Sequence, residues 1–118
     1  NILDFCLLFA LACNKSGPFL KEEVIMSSVG KSFTVVNQYT PFEEGGYGVD
    51  FIRLLDEQGK IILNNSDAPD GYDIASIIQI SKDQVTVQCL KGEKVGNGIV
   101  YEPVNLMYDM KSKKFNFK

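Results

Sequence analysis

The sequence predicts an α+β fold: an N-terminal apolar helix, or a helical pair, packed on a largely antiparallel β-sheet of about seven strands. After residue 31, β-branched and polar residues alternate through most of the chain. This alternation is the period of a strand with one buried face. Before that point, residues 2–13 are almost wholly apolar, and the apolar face of an antiparallel sheet needs a cover. We therefore expect a strongly curved or sandwich-like sheet beneath a helical layer.

The length of 118 residues indicates one domain with a single modest core. Within this domain we expect residues 1–30 to form the helical cover and residues 31–118 to form an antiparallel β meander. No internal repeat, low-complexity tract or linker divides the chain.

Two interpretations of residues 2–13 remain open. The first is a buried helix that ends before Gly17 and Pro18. The second is the hydrophobic part of a secretion signal, closed by a lipoprotein-like Ala-Leu-Ala-Cys box that ends at Cys13. Asp4 and the lack of any Lys or Arg before Lys15 favour the helix, because secretion signals carry positive charge at their start.

A second helix is expected from Pro18, a residue favoured at the first helical position, to Gly30. Its apolar residues recur near helical spacing, at Phe19, Leu20, Val24 and Ile25, opposite a charged side formed by Lys21, Glu22 and Glu23.

The strongest β signal is a hairpin formed by residues 72–80 and 85–90 around the polar break at residues 81–84. Val85, Val87 and Cys89 fall on one face of its second strand, and Ile74, Ile78 and Ile80 are expected to share one face of its first strand. The remaining predicted strands cover residues 32–39, 48–55, 60–64, 95–101, 104–110 and 115–117.

The charge distribution indicates a basic protein partner. The whole chain carries a net charge of −3, whereas residues 43–73 hold eight acids against Arg53 and Lys60. If these acids share one surface, the surface attracts basic proteins and repels nucleic acid and anionic lipid. We therefore expect no nucleic acid among the partners, and no membrane unless Cys13 is lipidated.

No residue pattern indicates catalysis, a metal or a cofactor. Histidine is absent, and Cys6, Cys13 and Cys89 are too scattered for a zinc site or a disulfide framework. The oxygen-rich loop at residues 64–73 lacks the spacing of a helix-flanked calcium loop. The prediction is a protein that is not an enzyme and binds no cofactor.

These observations favour a non-enzymatic binding protein, most simply a cytoplasmic bacterial immunity protein that neutralises a basic toxin, such as a nuclease, through an acidic surface. The alternative is a periplasmic lipoprotein whose small β-rich envelope domain is anchored at Cys13. The predicted partner contacts are the acids and tyrosines of the middle segment, namely Glu43, Glu44, Tyr47, Asp67, Asp70, Tyr72 and Asp73.

Overall fold

The computed structural model describes residues 17–117, apart from the side chain of Asp50, and these residues form two four-stranded antiparallel sheets. Each sheet is a meander in chain order. The first sheet contains β1 (Phe19–Met26), β2 (Ser32–Pro41), β3 (Tyr47–Leu55) and β4 (Ile61–Asn64). A short 3₁₀ helix, Asn65–Asp67, leads to the second sheet of β5 (Tyr72–Ser81), β6 (Gln84–Val95), β7 (Gly98–Asp109) and β8 (Lys114–Asn116).

The prediction of an α+β fold is wrong, because strands make up 67% of the described residues and no helix there reaches seven residues. The helix expected from Pro18 to Gly30 is instead the hairpin of β1 and β2. β1 pairs with β2 along its whole length, from Phe19 opposite Tyr39 to Met26 opposite Ser32. Gly30 has a φ of 83° and closes the turn. The helix expected over residues 2–13 lies outside the described residues.

The cover that the sequence analysis assigned to helices is supplied by the sheets themselves. The buried cluster takes Leu54 and Leu63 from the first sheet and Val85, Val87 and Cys89 from the second, all at most 2% exposed. Apolar side chains from both sheets meet in this one cluster, so each sheet covers the part of the other's inner face that carries the cluster.

Hydrogen bonds join the two sheets at the end of the molecule where four hairpin turns meet. The Ser28 amide donates to the Ile80 carbonyl at 3.0 Å, and the Lys82 amide donates to the Ser28 hydroxyl at 3.2 Å. Nearby, the Tyr108 hydroxyl donates to the Ile62 carbonyl at 3.5 Å. Away from this end, most residues of β1 and of the β6–β7 hairpin are exposed, so the opposite ends of both sheets are open to solvent.

Irregular pairing in two strands changes which side chains face the core. In β5, register shifts between Ile74 and Ser76 and between Ile77 and Gln79 leave Ile78 exposed, so the expectation that Ile78 shares a face with Ile74 and Ile80 is wrong. In β3, the shift at Asp50 pairs Gln38 with Phe51 and Tyr39 with Val49. A bulge of this kind restores a common face after an extra residue.

Candidate functional site

A depression of about 480 Å³ lies where β3 passes the start of β5. We call it the inter-sheet cleft. Its walls are mainly apolar, and the polar side chains on its lining are those of Asn65 and Asp73. The complete lining is Val49, Phe51, Ile52, Asn65, Asp73, Ile74, Ala75 and Leu90.

Among the side chains that the structure describes, Asp73 is the only charged one on this lining. It is the second residue of β5, pairs with Leu90 of β6 and is exposed. Within residues 17–117 its carboxylate has no hydrogen bond or ion pair. Burial raises the pKa of the Cys89 thiol, and the negative charge of Asp73 raises it further. The Asp73 carboxylate is thus near enough to act on Cys89 electrostatically, and it is exposed to solvent.

A second depression, the hairpin cleft, is also lined by Asp73 and measures about 570 Å³. Tyr72 and Tyr101 supply its aromatic surface. A Cβ atom on Gly92 would lie 3.0 Å from the Tyr101 ring, so glycine at this position lets the ring lie across β6. Lys94 also lines the hairpin cleft, which therefore carries both signs of charge.

The structure brings Tyr72 and Asp73 together among the residues predicted to contact a partner. Both line the hairpin cleft, and Asp73 lines the inter-sheet cleft as well. Asp70 is exposed in the short loop that precedes β5. These three residues form the acidic and aromatic rim of one region.

Asp67 lies apart from that rim and has a local structural role. Its carboxylate accepts a hydrogen bond from the Asn64 amide at 2.9 Å and closes the 3₁₀ turn. It lines a different depression, together with Lys60 and Lys113. Its position in the loop at residues 64–73 is that of a capping residue.

Glu43, Glu44 and Tyr47 lie in a third region, the turn and strand start that join β2 to β3. Tyr47 is two residues along β3 from Val49, about 7 Å, and Val49 lines the inter-sheet cleft together with Asp73. The seven predicted residues therefore lie at the rim around Asp73, at the capping position of Asp67, and on the β2–β3 turn next to the inter-sheet cleft.

Phe51, Leu90 and Tyr101 belong to the two clefts but were not among the residues predicted from sequence. The one signal for Phe51 was the apolar character of both faces of residues 48–55, which indicates a strand with neighbours on both sides. Leu90 and Tyr101 carry no comparable signal, because their place in a cleft depends on how the sheets pack.

Within residues 17–117 no three Asp, Glu, Cys or His side chains gather closely enough to hold a metal ion. In the same part of the chain, no helix is long and apolar enough to cross a bilayer.

The described residues form two antiparallel β-sheets, with the exposed carboxylate of Asp73 on the lining of the inter-sheet cleft. No family model matches the chain, and searches of curated proteins and of solved structures returned no significant match.

Proposed function

We propose that this is a non-enzymatic binding protein that holds a basic side chain of a protein partner in the inter-sheet cleft. The observation that carries the proposal is that Asp73 supplies the single charge among the described side chains of the lining, whose other members are apolar except for Asn65. Lysine and arginine match such a site, because each has an aliphatic stem and a cationic head.

The wall of the cleft suits the stem of that side chain. Phe51 lies on the lining, and the Arg53 guanidinium covers its ring at 4.1 Å from the centroid. This contact restricts the ring, so the cleft wall is preorganised and less conformational entropy is lost on binding. On the opposite wall, Leu90 lies beside Asp73 across the β5–β6 pair.

The form of this function that we favour is bacterial immunity, in which the protein neutralises a basic toxin in the cytoplasm. Residues 43–73 carry six more acids than bases, and an excess of this kind accelerates association with a cationic partner. Insertion of a toxin's basic residue beside Asp73 occludes the toxin surface that carries it.

The test compares Asp73→Asn with a matched control, Asp83→Asn. Asp83 is also a β-hairpin aspartate, but it forms an ion pair with Lys111 at 3.6 Å at the end where the turns meet. The wild-type and variant proteins are immobilised and used to capture basic proteins from a bacterial lysate, and the affinity of the captured partner is then measured. We expect Asp73→Asn to weaken binding by about tenfold or more and Asp83→Asn to have little effect. Equal affinities for all three proteins would contradict the role of Asp73.

A second function, envelope anchoring through Cys13, is supported by the composition of the core. The buried cluster of the described residues is formed by side chains of the two sheets, so this cluster does not require a helical layer. The Ala-Leu-Ala-Cys sequence then matches a lipoprotein box. We expect palmitate to label the wild-type protein in bacterial cells and not the Cys13→Ser variant. An unlabelled wild-type protein in the soluble fraction would contradict anchoring, whatever the result for Asp73.

A further inference from the structure

We propose that two copies of this chain form a dimer by pairing β7 of one copy antiparallel with β7 of the other. A two-fold axis passes beside Val100, so that this residue lies opposite Val100 of the second copy. The second sheets of the two copies then form one continuous sheet. No described residue of β7 lines the inter-sheet cleft, so the dimer leaves that cleft open and the inference does not rest on the proposed function.

The edge of β7 that faces away from β6 is mostly unpaired. β7 pairs with β6 from Gly98 to Asp109, but with β8 only from Met107 to Asp109. Within residues 17–117 no other strand adjoins that edge. The backbone N–H and C=O groups that lie along it at residues 98–106 are therefore a template for a further strand.

The pairing pattern identifies which residues direct their backbone groups to the open edge. Just beyond the ends of β6 and β7, the Met110 amide donates to the Asp83 carbonyl at 2.8 Å. Residues of an antiparallel pair alternate between hydrogen-bonded and non-hydrogen-bonded positions, so the even-numbered residues of β7 bond to β6. The odd-numbered residues point the other way, and accordingly the Asp109 carbonyl accepts the Lys113 amide at 2.8 Å. The open edge thus presents the backbone groups of residues 99, 101, 103 and 105.

Pro103 limits the register in which two such edges pair. It has no amide hydrogen, so any register that uses its backbone loses a hydrogen bond. With the axis beside Val100, Ile99 lies opposite Tyr101 of the second copy, and each such pair exchanges both of its hydrogen bonds. Pro103 lies beyond these pairs. With the axis beside Tyr101, Pro103 lies opposite Ile99, and each such pair lacks one bond.

The charged residue of this edge selects the same register. With the axis beside Val100, Glu102 lies opposite Gly98 of the second copy, where no charge opposes it. An axis beside Glu102 would set two carboxylates directly opposite each other, which is destabilising. The outer strand of the first sheet, β1, carries consecutive charged side chains at residues 21–23, and charges of this kind disfavour edge pairing.

The β6–β7 hairpin gains most from a further strand near its turn. β5 pairs with β6 no further than Lys91, so toward the turn the described strands form a two-stranded ribbon, which is only marginally stable in water. Ile99, Val100 and Tyr101 are more than half exposed there. A Cβ on Gly92 would lie 3.0 Å from the Tyr101 ring and 3.4 Å from the Ile99 side chain. These two side chains therefore lean over β6 and leave the edge backbone of β7 uncovered.

The first test uses disulfide crosslinking of the full-length protein to determine the register. Val100 lies in a non-hydrogen-bonded pair with itself, where Cα atoms are about 4.5 Å apart, within the range of a disulfide. The two Ile99 Cα atoms are about 9 Å apart in this register, beyond that range. After oxidation with copper phenanthroline, we expect peptide mass spectrometry to find a disulfide between the substituted positions of Val100→Cys and none for Ile99→Cys. A disulfide formed equally by both variants, only by Ile99→Cys, or by neither overturns the inference.

The second test measures association by sedimentation velocity. We expect the wild-type protein to reach twice the 13.2 kDa mass of the chain as its concentration rises. Val100→Lys and Val100→Glu each set like charges opposite each other and should weaken dimerisation by about tenfold or more. An equimolar mixture of these two variants should restore the dimer.

The matched control is Val24→Lys on β1, where the wild-type side chain is 68% exposed, and we expect this variant to dimerise like the wild-type protein. A wild-type protein that stays monomeric at every concentration overturns the inference. So does a dimer that Val24→Lys weakens as much as Val100→Lys, or a mixture of the two Val100 variants that stays monomeric. None of these results bears on the Asp73→Asn experiment.

Discussion

At the scale of single residues, Cys89 combines complete burial with a protonated thiol. It is 0% exposed in the core, and its pKa is raised from 9.0 by burial and then by the charge of Asp73. Because the thiolate is the reactive form, we expect no iodoacetamide labelling of Cys89 in the native protein at pH 8. Labelling in urea should be complete, as measured by peptide mass spectrometry. Fast native labelling would show that the core opens readily at β6.

The raised pKa of Tyr108 predicts that the folded protein loses stability at alkaline pH. Its pKa is raised from 10.0, first by burial and then by the charges of Asp67 and Asp109. The folded state thus favours the protonated phenol. This contribution to the free energy of unfolding is complete below pH 10 and is lost as the pH rises through the raised pKa.

The Tyr108→Phe variant isolates that contribution from the titration of lysines. It keeps the ring that contacts Phe115 at 4.9 Å and removes the titrating hydroxyl. Urea unfolding of both proteins from pH 7 to pH 11 should show a steeper decline for the wild-type protein above pH 10. If the free energies of unfolding of the two proteins change with pH in parallel, the Tyr108 phenol has the same pKa in the folded and unfolded states.

At the scale of elements, β1 shows why local sequence was insufficient. Lys21, Glu22 and Glu23 are good helix formers, and Pro18 suits the first position of a helix or the residue before a strand. This segment is a strand because it pairs with β2. Helix propensity within the segment itself does not reveal that pairing. The β5–β6 hairpin was predicted correctly, because the polar residues of its turn are adjacent in the sequence. The two bulges in β5 were not predicted.

The β6–β7 turn offers a test of turn geometry with an internal control. Gly96 has a φ of 60°, whereas Gly98 has an ordinary φ, and a Cβ on Gly98 would meet only the Val95 carbonyl oxygen, at 4.0 Å. We expect Gly96→Ala to destabilise the hairpin by about 1 kcal/mol and Gly98→Ala to be neutral or slightly stabilising. Hydrogen exchange of the amides in residues 92–101 measures both effects. Equal protection in the two variants would contradict the assigned turn.

At the scale of the whole molecule, the candidate site could be predicted only in part. Tyr72 and Asp73 were identified from the local concentration of acids and tyrosines. The inter-sheet cleft was not predicted, because Phe51 and Leu90 lie on different sheets and meet only through the packing of those sheets. Placing both halves of such a cleft requires the sheet-to-sheet arrangement, which the alternation of residues along a strand does not encode.

The same packing predicts that residues 1–16 are not needed for folding. Among the described residues, every member of the buried cluster lies between Phe33 and Tyr108, so a chain that begins at Gly17 keeps all of these core residues. We expect its free energy of unfolding to be within about 1 kcal/mol of the full-length value, whereas Leu54→Ala in the full-length chain should cost about 3–5 kcal/mol. Urea unfolding followed by circular dichroism compares the three proteins. If the shortened chain is destabilised as much as Leu54→Ala, the first sixteen residues contribute to the folded core, and the argument for a lipid tether loses its structural support.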